Sequence, residues 1–246
     1  MARGIPCHGS PQHVLRFTDG SEMPIGKIIC LARTYRKHAE EMGGEVREKP
    51  LLFLKPVSAV ISNRQTIVLP QKSRDVHHEV EMALVIGRQG KNIPVGESLR
   101  YIAGYCLALD ITARDIQQEA KDHGWPWAIA KGFDTFCPLS RAVPAGDVDN
   151  PHSLGLLLAV NGDIRQRATT ASLAYTVQEI VAYVSTLMTL ERGDIILTGT
   201  PEGVGALKAG DVVTASLGDV CHLSHPVVGE TQATGKQGRE KGEESG

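Results

Sequence analysis

The chain has 246 residues, long enough to bury a sizeable core as one large domain or as a small domain beside a larger one. Its 41% hydrophobic and 22% charged residues and formal net charge of -2 describe an ordinary globular protein, and without a basic excess nucleic acid is excluded as the expected partner. Five scattered cysteines (Cys7, Cys30, Cys106, Cys137, Cys221), odd in number and never spaced C-x-x-C, argue against a disulfide framework or a zinc ribbon and fit a reducing cytosol.

Met1 to Pro6 lacks the apolar stretch of a secretory signal, and no run approaches the roughly 18 apolar residues of a membrane span, so a soluble, cytoplasmic protein is expected. Lys27 to Leu31 is a short strand signal. Thr34 then resembles an N-cap for a short helix, Tyr35 to Met42, which Gly43-Gly44 would end. On that helix His38 and Glu41 are three apart and share a face, so a carboxylate stands behind an imidazole, fixing its tautomer and raising its basicity. Such a pair is either an exposed surface contact or a general base on a mobile lid that orders over substrate. Leu51 to Leu54 before Lys55-Pro56, and Thr66 to Leu69 before Pro70, read as strands closed by proline.

The most informative segment follows. In His77 to Gly87 the run after Glu81 is apolar and strand-like, and side chains two apart on a strand share a face, so Glu79 and Glu81 point the same way. Tyr105 to Ile111 reads as a second buried strand whose one charge is Asp110. Three carboxylates around buried strands repel one another and must be paired, protonated or bound to metal. All-oxygen ligation favours a hard divalent ion, Mg2+ first, with Mn2+ or Ca2+ next. The plainer alternative is a solvated edge-strand face for the two glutamates and a helix cap near Thr112 for Asp110. His77 and His78, facing opposite sides of a strand, are read as supporting or structural residues.

Arg114, Asp115 and Gln117 open the next helix; Gln117 is a candidate to hydrogen-bond a substrate oxygen, and Arg114 and Asp115 are expected to pair within the structure. Lys131, a lone cation among small and apolar residues, either meets an anion, such as a substrate carboxylate or a developing enolate, or snorkels to the surface past Gly132. Leu156 to Val160 followed by Asn161-Gly162 is a hairpin signal. Val177, Ile180, Val181, Val184, Leu187 and Met188 form the core-facing stripe of an amphipathic helix. Asp194 to Thr198 and Asp211 to Leu217 are further strands. Between them Thr198 to Gly205 is small, hydroxylated and flexible, which lets backbone amides approach a ligand oxygen, but it lacks the G-K-[ST] ending of a P-loop. There is no G-x-S-x-G and no H-E-x-x-H, so serine hydrolase and zinc protease readings fail. From Gly229 the composition turns to Gly, Glu, Lys and Gln, the pattern of a solvated tail. Strands outnumber helices without alternating with them, which predicts a mixed α+β, mainly β, domain.

Taken together, Glu79-Val80-Glu81 with Asp110, the segment from Thr34-Tyr35 through His38 to Glu41, Phe53 to Pro56, Ala113 to Gln117, Lys131 to Asp134 and Thr198 to Pro201 resemble the fumarylacetoacetate hydrolase family, in particular its small acylpyruvase and oxaloacetate decarboxylase members. The resemblance runs in order from about Lys27 to Leu217. It implies a mixed β-sandwich roll with a short lid helix and residues 27–228 as the catalytic domain; residues 1–26 are expected to pack on that core, and residues 229–246, expected to be a disordered tail, lie outside the resemblance. It implies a homodimer, one Mg2+ or Mn2+ held by Glu79, Glu81 and Asp110, a lid dyad of His38 and Glu41, and substrate contacts from Lys131, Gln117 and Thr200. The implied activity is cleavage of 2,4-dioxo acids to pyruvate and a carboxylic acid, with oxaloacetate decarboxylation on the same electron sink. Oxaloacetate keto/enol tautomerisation, or an isomerisation or decarboxylation of aromatic catabolism, is the alternative, and a non-catalytic metal-binding scaffold is a third reading. One departure is Thr34, where the family usually has Asn.

Overall fold

The run Val80–Ile86, apolar but for Glu81, is buried at every position, so it must be covered on both faces, and the fold is built around that requirement. A computed structural model describes residues 13–231. The run lies inside an eight-stranded sheet whose path is Leu51–Lys55, Ile28–Ala32, Ile195–Leu197, Val80–Ile86, Ile102–Leu109, Cys137–Leu139 and Val60–Ser62, with Val143–Pro144 pairing to one side of Ile102–Leu109. Most pairs are antiparallel, but Ile195–Leu197 runs parallel to Ile28–Ala32 and Cys137–Leu139 parallel to Val60–Ser62. A five-stranded sheet (Asp163–Thr169, Gly155–Val160, Val212–Leu217, Cys221–Gly229, Ile67–Leu69) contributes Leu156, Leu158, Val213, Leu217 and Leu223 to the same core. The architecture is the mainly β, α+β arrangement expected, with mixed sheets curled around one core.

Local chemistry explains the connections. Asn161 and Gly162 both hold positive φ, 54° and 88°, as a two-residue turn between Gly155–Val160 and Asp163–Thr169 requires. Four α-helices are present among the described residues: α1 (Arg36–Glu41), α2 (Arg114–His123), α3 (Ala128–Lys131) and α4 (Val177–Leu187). Helix α2 stops at Gly124, which takes the left-handed conformation (φ 69°). Helix α4 packs Val177, Ile180, Val181 and Val184 into the core and Met188 against it. Leu187 departs from the expected stripe: the helix ends there and the side chain is 51% exposed.

Two expected caps are not formed. Tyr35, not Thr34, occupies the N-cap position of α1 and makes no side-chain cap; the Thr34 hydroxyl instead donates to the Thr198 carbonyl at 2.7 Å, tying the start of the lid to the Thr198–Gly205 loop. Asp110 is no cap either, because α2 starts at Arg114, after a short strand (Thr112–Ala113), and Asp110 is buried. On the N-terminal side Leu15, Phe17 and Met23 join the core. Cys7, the first twelve residues and residues 232–246 of the expected tail lie outside the described residues.

Helix α4 carries a complete capping box: the Thr176 hydroxyl accepts from the Glu179 amide at 3.2 Å while the Glu179 carboxylate accepts from the Thr176 amide at 2.7 Å. Thr176→Ala removes it at an exposed position and is expected to lower stability by about 1 kcal/mol, read from the urea midpoint at unchanged slope.

Candidate active site

Strand alternation puts Glu79 and Glu81 on one face, and the antiparallel partner strand returns Asp110 beside them. Val80 pairs with Leu109, and the Asp110 amide donates to the Glu79 carbonyl at 2.8 Å, so the chain leaves its strand where the two glutamates point. One ligand atom from each of Glu79, Glu81 and Asp110 lies within 4.8 Å of the others, and all three side chains are buried. The edge-strand and helix-cap alternatives do not describe these residues.

Three cations converge on the same place. Lys131 is 2% exposed and donates to Glu79 at 2.9 Å, Asp110 at 2.5 Å and the Thr112 hydroxyl at 2.6 Å. It does not snorkel, and its three ammonium protons all have partners. Arg114 reaches Glu79 with one nitrogen and the Gln117 carbonyl oxygen with another, at 2.7 Å in the second case. The expected Arg114–Asp115 pairing is not made, since Asp115 turns to Ser73 and the Arg74 amide. Lys55, which sequence reasoning missed, is 3% exposed and stands 2.8 Å from Asp110 Oδ1. Its hydrogen bonds go to the Ile111 and Lys131 carbonyls at 3.0 and 2.6 Å, so Asp110 Oδ1 is buried and accepts none. A single lysine ending an apolar run is the signal that could have revealed it, the same signal that marked Asp110.

The charges are unevenly shared. Burial alone would push the Glu79 carboxyl up, but Lys131 and Arg114 beside it hold it well below the usual carboxylate range. Lys131 is held above its ordinary value: burial opposes its charge, and Asp110 and Glu79 outweigh that. Glu81 has no cation in contact and accepts only the Gly199 amide at 2.6 Å. Burial, then repulsion from Asp110 and Glu79, pushes it well above the ordinary value. The Tyr35 hydroxyl is buried without a partner, its pKa raised by burial and by the nearby Glu81 and Glu202 carboxylates. A hard divalent cation fits this set: all-oxygen donors, an orphaned buried carboxylate oxygen, and one carboxylate lacking positive charge.

The acids form part of a cleft that His38, Gln117, Lys131 and Thr200 also line. His38 is 7% exposed, so it is not the exposed surface contact considered above. Its Nδ1 lies 3.2 Å from Glu41 Oε2, and both Glu41 oxygens accept from the Gly203 amide, at 3.1 and 3.2 Å, so α1 is held down on the Thr198–Gly205 loop. Gln166, also missed, is fully buried and organises the far wall: it accepts from the Val80 amide at 3.1 Å, lies 3.0 Å from His78 Nδ1, and donates to the Thr200 hydroxyl at 2.8 Å and the Pro201 carbonyl at 3.0 Å. It sits in the strand Asp163–Thr169, where period-two alternation groups it with Ile164 and Ala168, and Ile164 is itself half exposed, so that grouping does not stand out as a buried face. His77 bonds to Asp75 at 2.8 Å and burial lowers its pKa, as it does that of His78, which leaves both outside the acid cluster.

Three comparisons bear on this site. Residues 27–228 match the family model described as Fumarylacetoacetate (FAA) hydrolase C-terminal. The chain is 44% identical over 200 residues to the mitochondrial oxaloacetate tautomerase FAHD1 of Rattus norvegicus, covering 81% of this chain and 90% of the relative. Its fold is similar to a crystal structure of fumarylpyruvate hydrolase from Pseudomonas aeruginosa in complex with Mn2+ and pyruvate (TM-score 0.87, 33% identity, 92% of this chain and all of that one). It is also similar to 2-hydroxyhepta-2,4-diene-1,7-dioate isomerase from Mycobacterium marinum (TM-score 0.76, 33% identity, 90% and 88% covered).

Because the raised Glu81 must ionise before it can ligate, Mn2+ binding to the metal-free protein near neutral pH is expected to release a proton, and affinity should strengthen as pH rises. Titration calorimetry in buffers of different ionisation enthalpy reads this directly; a binding heat independent of the buffer would contradict it.

Proposed function

The chain belongs to the fumarylacetoacetate hydrolase family, and from that premise we propose that it is a divalent-metal-dependent enzyme acting on short 2-oxo acids by forming and reprotonating the enolate at C3, with oxaloacetate keto/enol tautomerisation as its reaction. The observation that carries the reading is the joining, in one narrow cleft, of a buried acid triad whose member Glu81 has no cation in contact and a buried imidazole backed by a carboxylate.

Glu79, Glu81 and Asp110 would hold Mg2+ or Mn2+, and a bound ion supplies the positive charge that lowers the energy of an enolate oxygen. The remaining work falls to the chain's own side chains. His38, with Nδ1 engaged by Glu41, keeps Nε2 free to take a proton from C3 and return it to the enol. Glu41, itself held by the Gly203 amide, fixes that tautomer and stabilises the imidazolium that forms. The Gln117 carbonyl oxygen is occupied by Arg114, which leaves its amide N–H groups to donate to a substrate oxygen. The Thr200 hydroxyl accepts from Gln166, so its own proton is likewise available to a substrate carboxylate. Lys131 places positive charge beside the developing enolate while neutralising Glu79 and Asp110.

A second reading rests on the same dyad: with a 2,4-dioxo acid, His38 would activate water to attack the distal carbonyl, and breaking the bond to C3 gives pyruvate and a carboxylic acid. The similarity to fumarylpyruvate hydrolase favours it, and loss of CO2 from oxaloacetate would draw on the same enolate. A homodimer is proposed with either reading, supported by family membership and by the apolar side chains Leu54, Trp125 and Ile129, each at least half exposed. A cytoplasmic location is proposed from the cysteine usage, although the rat relative is named mitochondrial.

The reading is tested by following enol absorbance, CO2 and pyruvate together, on oxaloacetate and on 2,4-dioxo acids, with Mg2+ and with EDTA. Rapid metal-dependent loss of the enol band without matching CO2 supports tautomerisation, and pyruvate from the dioxo acids supports hydrolysis. His38→Ala is expected to lower kcat by about 10²- to 10⁴-fold while Mn2+ affinity persists; full activity in that variant would remove the base from the scheme.

A further inference from the structure

Four side chains with permanent or near-permanent positive charge line the cleft: Arg33, Arg114, Lys121 and Lys131. Arg114 and Lys131 are committed to the acids. Arg33 and Lys121 make no ion pair with any described carboxylate, although the cleft leaves both only half-buried. Two cations without ion-pair partners that line one confined space repel each other and are partly desolvated, an arrangement that an incoming anion relieves. The Lys121 ammonium is accordingly held below its usual value, by burial first and then by Arg114 and Arg33.

The arrangement is built in rather than incidental to two long surface side chains. Arg33 is a non-glycine residue at φ 61°, a strained backbone state kept by its surroundings. Those surroundings are visible: the next residue, Thr34, is anchored by its hydroxyl to the Thr198 carbonyl and by its own carbonyl to the Ala174 amide at 2.7 Å. The Arg33 guanidinium lies so close to Gly44 that a Cβ there would stand 2.6 Å from Nη1, so the segment that follows α1 packs on it. Lys121 extends from α2, the helix that also carries Arg114 and Gln117, and its Nζ lies 5.8 Å from the centre of the Trp127 ring. The two cations thus reach the cleft from separate elements, at the lid side and from α2.

We propose that Arg33 and Lys121 dock the distal carboxylate of a dicarboxylic 2-oxo acid, while the 2-oxo acid end is held at the acid triad. The inference deepens the functional reading above and rests on it: oxaloacetate is a 2-oxo dicarboxylate, and the inference assigns the residues that select such acids over 2-oxo monocarboxylates. An uncharged acyl end would leave both half-buried cations unpaired, which makes the discrimination one of charge rather than of shape.

The test compares two acids of equal length, oxaloacetate and 2-oxobutanoate, which differ in whether the far end is a carboxylate or a methyl group. In the Mg2+-loaded protein, KM for oxaloacetate and the inhibition constant of 2-oxobutanoate are measured for wild type, Arg33→Gln, Lys121→Gln and Arg33→Lys. Each glutamine variant is expected to raise the oxaloacetate KM about 10- to 100-fold, the size of one lost charge-assisted hydrogen bond, with 2-oxobutanoate changed about twofold or less. Arg33→Lys should recover part of the loss. Mn2+ affinity and thermal unfolding of each variant, measured alongside, show that the acid triad and fold persist. Equal weakening of both acids, or none, would overturn the inference while leaving the functional reading standing. Failure of wild type to bind or turn over either acid in the presence of metal would overturn both.

Discussion

Three carboxylates are held in a region from which water is largely excluded, and the way their charge is divided governs the rest of the site. Glu79 shares Lys131 and Arg114, and Asp110 shares Lys131 and Lys55. Glu81 receives only a backbone amide. Three acids meet three cations, but the neutralisation is lopsided, and the deficit of positive charge falls on one side chain. Removing a single partner from such a cluster leaves an uncompensated buried charge, typically several kcal/mol in cost, so the cluster tolerates little local change. A divalent ion would supply charge at the position where the protein provides none.

The sheet makes this concentration possible. Glu81 lies opposite Ala108, and Asp110 follows the last residue of that same partner strand, so no flexible loop intervenes between the ligand side chains and the buried ladder. The lid side is fastened differently. Thr34 and Glu41 both bond to the Thr198–Gly205 segment, one to its first carbonyl and the other to the Gly203 amide. Helix α1 has only six residues and no side-chain cap, so its position depends on those contacts more than on its own helical stability. The acids therefore sit on rigid strands and the imidazole on a short element tied down at two points, a division suited to a base that must close over substrate.

How much of this could be read from the residues divides along the same line. Period-two alternation made Glu79 and Glu81 legible, and a solitary charge ending an apolar run made Asp110 legible, because both patterns follow from local strand geometry. Lys55 carried the same mark as Asp110, but Pro56 after it suggested only the end of a strand. Gln166 was hidden for a physical reason: its strand is rich in polar residues, and its burial comes from contacts with His78 and Thr200, contributed by distant segments. Thr34 was misread because a hydroxyl before a helix usually caps it, whereas here α1 begins one residue later, which leaves Tyr35 at the N-cap, and the Thr34 hydroxyl donates to a carbonyl 164 residues away. Leu187 failed for want of a continuing helix to cover it.

Family membership and the acid triad leave the reaction undecided among enolate chemistries, so the discriminating information has to lie in groups that do not touch the ion. His38 is one, since a base aimed at C3 moves a proton and the same base aimed at water breaks a carbon-carbon bond. The cations of the cleft are the other. Arg114 and Lys131 are consumed in balancing acids, whereas Arg33 and Lys121 line the same cleft without an ion-pair partner among the described residues. On the proposed reading the acids act at the 2-oxo end of the molecule, and the cations left without ion-pair partners discriminate by charge at its other end.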